Sequence, residues 1–457
     1  MRKYEMDLTK GSIAKNLLIF AIPLMLTSIL QLLYNAFDII VLGKFASTNA
    51  QAAVSSTSSL VNLFVNFFLG FTIGSSVLLA RYYGSKDYEN SRKTVHSSML
   101  FSLIIGIIVS ILGVILSKPM LKMMSASPSL IDESTIYLQI YFAGIVFNII
   151  YNFGAALLRA IGDTKRPLIY LSIAGVLNVA FNLLFVCVFK MGVAGVALGT
   201  IISEAVSAVL VVVTLVRSNN VLKLEFKELK LDKKITRDII LIGLPAGVQS
   251  VVFNISNVII QSKINSFGDA AIAGNGVASN IEGFVYAGIN AVYQGAISFT
   301  SQNYGAGNAK NIKKTLIYTN AYSIVISFIL GGIVILLPSF FISIYNNDPQ
   351  VIDYATERLF VMCISYFLCG LMDTTSGALR GLGYSTLSMV LTIIGIVGFR
   401  ITWLYTFFQM DKTLMNLYIS YPISWTMTWL IELGVFIFVF RKYQKSLIAH
   451  GLSLIHI

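Results

Sequence analysis

Asp38 is a carboxylate set in apolar sequence. It stands in QLLYNAFDIIVLGK (31–44), fifteen residues after Pro23. Asn178 and Asn182 lie one helical turn apart in a later apolar run, hence on one face, and Thr200 lies in the next. Neutral oxygens beside one carboxylate make a hydrogen-bonded proton site or the shell of a small hard cation such as Na+. Two blander readings stand beside this: an interfacial carboxylate, and polar residues that only tie neighbouring helices together. Gln31, Tyr34 and Asn35, from the same run as Asp38, are assigned to the substrate cavity, and Pro23, which removes a backbone hydrogen bond near mid-run, to a hinge. A second polar set comprises Glu282, Asp373, Arg400, Asn254 and Asn257, with Glu204 and Glu432 in weaker context. An ionisable residue inside a membrane span costs about 2.5–3.5 kcal/mol on insertion scales, so each needs a reason. Arg400 is expected to pair with Glu282 or Asp373. A structural ion pair and a substrate- or cation-binding role both stay open for this set.

No catalytic residues are expected, and the chain is read as a non-enzyme. The three histidines, His96, His450 and His456, flank the apolar runs or lie in the tail, so none can centre an acid–base or metal site within them. GxxxxGK[ST] is absent. No cofactor is expected, and no metal other than a bound Na+; the energy source is then an ion gradient, with H+ or Na+ as the coupling ion. Cys187, Cys363 and Cys369 all lie in apolar sequence and read as packing residues.

The elements that position these residues are membrane helices. Of 457 residues 56% are hydrophobic and 12% charged, with a mean hydropathy of +0.78, which excludes a soluble domain of this length. Apolar segments fall near 13–42, 51–80, 94–117, 135–158, 167–189, 192–216, 235–262, 272–302, 315–345, 353–379, 386–408 and 415–440. The first runs too long for a signal-peptide core and is read as a retained span. Twenty-five of the 33 Lys and Arg residues fall at the N-terminus, in the loops after even-numbered spans or after the last span; six fall on the other side and two, Arg358 and Arg400, within spans. Both termini are therefore predicted to be cytoplasmic, in a multi-pass protein of the cell membrane. The net charge of +12 follows this pattern and not a nucleic-acid-binding stripe. Small organic molecules and membrane lipids are the expected partners, nucleic acid is not, and the chain is expected to act as a monomer.

The sequence also repeats itself. YYGSKDYENSRKTV (82–95) returns as NYGAGNAKNIKKTL (303–316), and GAALLRAIG (154–162) as TSGALRGLG (375–383), at an offset of 221. Upstream the offset is 222, pairing Pro23 with Pro245 and Asn35 with Asn257. Six spans per copy make the repeats parallel, so the fold class is all-α integral membrane, twelve transmembrane helices in two pseudo-twofold-related six-helix lobes. The lobes are placed at 1–216 and 235–445, with 217–234 as a cytoplasmic linker and 446–457 as a tail. The stretch around that linker is read as either an amphipathic surface helix or plain linker. The final LSLIHI (452–457) matches the translation of a transposon end and is read as a sequence scar. Asp38 has no counterpart acid: Ile260 takes its place. A one-lobe acid suits coupling and not symmetric scaffolding.

GLPAGVQSVVFNISNVIIQSKINSFGDAAIAGN (243–275), SQNYGAGN (301–308), ALLRAIGDTKRP (156–167), MGVAGVALGT (191–200) and the pattern P(x10)YNxxD of Pro23 to Asp38 together resemble the multidrug and toxic compound extrusion family, over residues 10–445. The resemblance implies two six-helix lobes around a central cleft and export of amphipathic, often cationic compounds in exchange for H+ or Na+. By motif it makes Asp38 the cation or proton site, Pro23 its bending point, and Asn178 and Thr200 its polar neighbours. Asn182 departs from the pattern, since several relatives have Asp there. The rival reading is a flippase for lipid-linked or other amphiphilic lipids. Such proteins carry several cationic residues in the cleft, where Arg400 stands alone here.

Overall fold

The computed structural model describes residues 4–124 and 128–449, so the residues read as a scar lie outside the described part. Within it all regular structure is helical, as lipid demands: backbone groups without water must bond within their own segment. The long helices are α1 (Ile13–Phe45), α2 (Thr48–Gly84), α3 (Tyr88–Met123), α4 (Ile131–Ala160), α5 (Lys165–Val188), α6 (Gly192–Val216), α7 (Lys233–Ile264), α8 (Asp269–Gly305), α9 (Ala309–Leu336), α10 (Pro349–Gly381), α11 (Ser385–Met410) and α12 (Leu414–Ala449). All but α8 are long and apolar enough to cross a bilayer; α8 is a 37-residue helix with Glu282 at its middle. α5 ends in a π-helical turn, Leu183–Val188, and α11 contains another, Ile393–Gly398.

Much of the repeated sequence is turn chemistry. Asp87 caps α3 by accepting from the Asn90 amide, and Asn308 caps α9 by accepting from Asn311. Gly162 and Gly383 hold φ of +87° and +92° just beyond α4 and α10, where the amides of Asp163 and Tyr384 turn back to the carbonyls of Leu158 and Leu379.

The chain forms two compact units. One takes the residues up to Asp7 and Leu26–Gly247; the other takes Leu8–Met25 and the residues from Val248 onward. The division therefore falls inside α1 and α7, two residues after Pro23 and two after Pro245 respectively.

In the first unit α4 packs against α2, α3 and α6. The N-terminal part of α7 joins through glycines: a Cβ on Gly70 or Gly247 would strike the other helix's backbone, and so would one on Gly74 or Gly243. Both pairs have the four-residue spacing that lets membrane helices touch backbone to backbone. The segment read as either linker or surface helix forms no surface helix. It is an extended strap with a single 3-10 turn, Phe226–Glu228, and buries Leu222 and Leu224 completely or nearly so. The Glu225 amide donates to His96 Nε2 at 3.1 Å, the Asp232 amide to Ser97 Oγ at 3.0 Å, and Arg92 meets Glu228 at 2.9 Å. Alternating leucines among charges are amphipathic in an extended chain as well as in a helix, which is why composition misled here.

In the second unit α10 takes the central place, against α8, α9 and α12. The start of the chain is clamped there by side chains. Gln302 accepts from the Leu8 amide at 3.1 Å, Asn303 donates to the Leu8 carbonyl at 3.0 Å, Asn311 to Thr9 at 2.9 Å and the Tyr322 hydroxyl to Ala14 at 3.0 Å. Phe20 then packs edge-on against Phe299 with ring centroids 5.5 Å apart.

Gly→Ala in a helix ordinarily stabilises by about 0.5–1 kcal/mol. Gly434, in α12, has open space where a Cβ would go. Gly247→Ala is accordingly expected to lower the melting temperature of the detergent-solubilised protein while Gly434→Ala leaves it level or higher, by an overpacking loss of about 1–3 kcal/mol at Gly247. Equal melting temperatures for the two variants would contradict the close α2–α7 contact.

Candidate functional site

The first unit gathers its polar residues around Asp38, which is 7% exposed although it lies on a membrane helix. α1 brings Asp38, α5 brings Asn178 and Asn182, and α6 brings Thr200. Asn182 Nδ2 donates to Asp38 Oδ1 at 2.5 Å and to Asn178 Oδ1 at 3.2 Å. The Thr200 hydroxyl lies 3.3 Å from Asp38 Oδ2, and Asn178 Nδ2 lies 3.3 Å from the same hydroxyl. Thus four residues drawn from three helices close a ring around one carboxylate. α5 changes to its π turn immediately after Asn182, a wider local winding frequent at functional positions. Asn182 Oδ1 is buried and has no hydrogen-bond partner. A cation bound beside Asp38 would find that oxygen already desolvated.

Around this ring, Tyr34 donates to the Leu171 carbonyl at 2.8 Å, and its ring fills the space a Cβ on Gly175 would take. Gln31 and Asn35 are exposed on α1, about two turns and one turn from Asp38 respectively. The residues 31, 34, 35 and 38 share one face of the helix. Pro23 lies within α1, fifteen residues before Asp38.

The second unit corrects the expected pairing of Arg400. Glu282 is engaged by Arg358: Nε reaches Oε1 at 2.7 Å and Nη2 reaches Oε2 at 2.8 Å. Asn275 Oδ1 accepts from Arg358 Nη1 at 2.6 Å, and Tyr366 donates to Glu282 Oε2 at 3.2 Å. Both ion-pair partners are under 10% exposed, so this bidentate pair replaces water for each. Asp373 receives the Tyr286 hydroxyl at 3.2 Å. Arg400 meets neither acid. Its Nε donates to Ser424 at 3.2 Å and its guanidinium lies 3.8 Å from the Tyr421 ring centroid, a cation–π contact that offsets part of its desolvation. Depth along a span could not reveal this, because the choice of partner depends on which helix face each residue occupies.

Asn254 donates to the Ser250 carbonyl at 2.9 Å, within its own helix, and Asn257 is exposed. The structure does not bring these two into the Arg358–Glu282 cluster. Arg380, from the repeated TSGALRGLG, is buried and bonds Gln249 Oε1 at 2.6 Å and the Tyr293 hydroxyl. Among residues the sequence reading left unassigned, Arg358 had one visible signal, a charge inside a span; Asn275 and Tyr366 had none. Glu432 accepts from Thr392 at 2.9 Å, and Glu204 accepts from Asn148 at 2.8 Å.

Breaking a buried ion pair by removing one partner costs about 3–5 kcal/mol. Arg358→Met alone is therefore expected to destabilise the protein strongly, and Arg358→Met combined with Glu282→Gln to recover much of that loss, as read by thermal unfolding in detergent. A double variant no more stable than the single one would show that the pair does more than neutralise itself.

A family model described as MatE matches residues 23–184 and again 245–406. The chain is 26% identical over 450 residues to "Probable multidrug resistance protein YoeA" of Bacillus subtilis, covering 95% of this chain and 96% of that protein. It is 24% identical over 392 residues to "Multidrug export protein MepA" of Staphylococcus saprophyticus, covering 85% and 86%. Among solved structures, the outward-facing conformation of a multidrug resistance MATE family transporter of the MOP superfamily superposes with a TM-score of 0.89 at 20% identity, over 96% of this chain and 98% of that one.

Proposed function

The chain belongs to the MatE family, a family of transporters, and we propose that it is a secondary active exporter of amphipathic, often cationic organic compounds, driven by H+ or Na+ exchange at Asp38. The observation that carries this reading is the closed ring of Asn178, Asn182 and Thr200 around one buried carboxylate. The relatives named for multidrug export support the substrate class.

The chemistry follows from the ring. With Asp38 ionised, two donors, Asn182 Nδ2 and the Thr200 hydroxyl, face its oxygens. A proton or a sodium ion cancels the charge and competes with those donors for the same lone pairs, so loading must alter the packing of α1 against α5 and α6. Pro23 gives α1 the place to bend. Substrate on the open face of Gln31 and Asn35 and ion at Asp38 then bias one conformational equilibrium in opposite directions, which is what antiport requires. The Lys and Arg distribution supports cytoplasmic termini in the cell membrane. The lipid flippase reading gains nothing from the second unit, where Arg358 is neutralised by Glu282 and Arg400 again stands alone.

Asp38→Asn keeps the shape of the side chain and removes its ion chemistry. In proteoliposomes under separate pH and sodium gradients, with a panel of organic cations and neutral amphiphiles, the parent is expected to respond to one gradient. The variant is expected to lose at least about tenfold of that response, roughly 1.4 kcal/mol, with unchanged monodispersity. Undiminished gradient-driven transport by Asp38→Asn would overturn the assignment.

A further inference from the structure

Glu204 is a partly buried residue of the first unit whose carboxylate the ring at Asp38 does not use. It sits on α6 one turn beyond Thr200, whose hydroxyl reaches Asp38, toward the Val216 end of the helix. Its Oε1 accepts from Asn148 Nδ2 at 2.8 Å, and Asn148 Oδ1 in turn accepts from Asn152 Nδ2 at 2.9 Å. The Asn152 bond orients the Asn148 amide with its donor toward the carboxylate. Glu204 Oε2 is buried and has no hydrogen-bond partner among the described residues. The titratable groups near it are Tyr137 and Tyr141 from α4 and Asp38 from α1. α2 and α5 carry charge only at their ends, Arg81 on α2 and Lys165 and Arg166 on α5. A carboxylate with one bonded and one orphaned oxygen in a desolvated place is completed by a monovalent cation.

The repeat shows that helix packing does not require this arrangement. Between Asp132 with Asp353 and Arg159 with Arg380 the 221 offset holds, and within it Asn148 corresponds to Cys369. Cys369 is buried in an apolar core that includes Trp425 of α12. The second unit thus builds the same part of its central helix without an amide. Asn148 and Asn152 also line a small cavity with Thr72, Phe68 and Phe153, so the end of the amide chain away from Glu204 is not sealed by packing.

We infer that Glu204, oriented by Asn148, is a second monovalent-cation site of the first unit, loaded in series with Asp38. This rests on the reading of Asp38 as the coupling site. One cation moves between two carboxylates: the proton or sodium ion leaves Asp38, which regains its negative charge, and neutralises Glu204.

The test uses the full chain in proteoliposomes and reads transport rate against external pH at fixed sodium, and against sodium at fixed pH. Glu204→Gln is expected to shift the midpoint of whichever profile is active by at least threefold in ion concentration and to reduce gradient-driven transport at least tenfold. Asn148→Leu, which leaves the carboxylate but removes its donor, is expected to shift the same midpoint by less. A helix-packing role would lower stability without moving either midpoint. Profiles for Glu204→Gln and Asn148→Leu that superpose on the parent overturn the inference; should Glu204→Gln fail to fold, a superposing Glu204→Ala profile does so. Asp38→Asn measured alongside separates the two ideas. Its retention of gradient-driven transport sinks the reading of Asp38, whereas its loss with a parental Glu204→Gln profile sinks Glu204 alone.

Discussion

Inside a bilayer no water is at hand to satisfy a polar group, and this constraint orders the whole molecule. Most buried polar atoms here are met by protein. Arg358 takes both oxygens of Glu282 and the amide of Asn275; Arg380 takes Gln249 and Tyr293; the carbonyls of Leu8, Thr9 and Ala14 take Asn303, Asn311 and Tyr322. These groups are structural in the strict sense that each removes a debt left by another. Against that background the exceptions stand out. Asn182 Oδ1 beside Asp38 and Oε2 of Glu204 in the first unit, like Oε2 of Glu432 in the second, are buried without hydrogen-bond partners among the described residues. An ion-coupled carrier needs a site that is incomplete when empty, so that the ion and not the protein closes it.

The same constraint says what could be read from the sequence. Apolar runs of helical length gave the helices and their order, because lipid leaves the backbone no alternative. The Asp38 cluster was legible for a similar reason: Asn178 and Asn182 are one turn apart, and a carboxylate at that depth needs neighbours. The 221-residue echo marked caps and turns, as Asp87 with Asn308 and Gly162 with Gly383 now show. What it could not give was rotation about a helix axis. Arg400 and Glu282 sit at compatible depths, but Arg400 faces Tyr421 while Arg358 faces Glu282. The burial of Leu222 and Leu224 in the strap after α6 was not legible for a different cause, since it comes from tertiary packing that no local periodicity announces.

The comparison of copies also separates roles. Glycine contacts hold the early part of α7 in the first unit, whereas side-chain hydrogen bonds hold the early part of α1 in the second. Equivalent segments are thus fixed by different physics. Backbone contact between glycines is sensitive to a single added carbon and indifferent to polarity; an amide clamp tolerates small shifts but depends on donors and acceptors staying matched. The repeat preserves the architecture and leaves each copy free to choose its fastening, just as it leaves the first copy free to carry Asp38 where the second has Ile260.

The amide clamp on the start of the chain bears on how the protein is made. Leu8, Thr9 and Ala14 leave the ribosome about three hundred residues before their partners Gln302, Asn303, Asn311 and Tyr322. Until α8 and α9 have entered the bilayer, the first half of α1 has no native surroundings, while its second half can already pack with the helices that follow it. α1 is therefore finished only after α8 and α9 are in place, and neither half of this chain, produced alone, contains everything that α1 or α7 packs against.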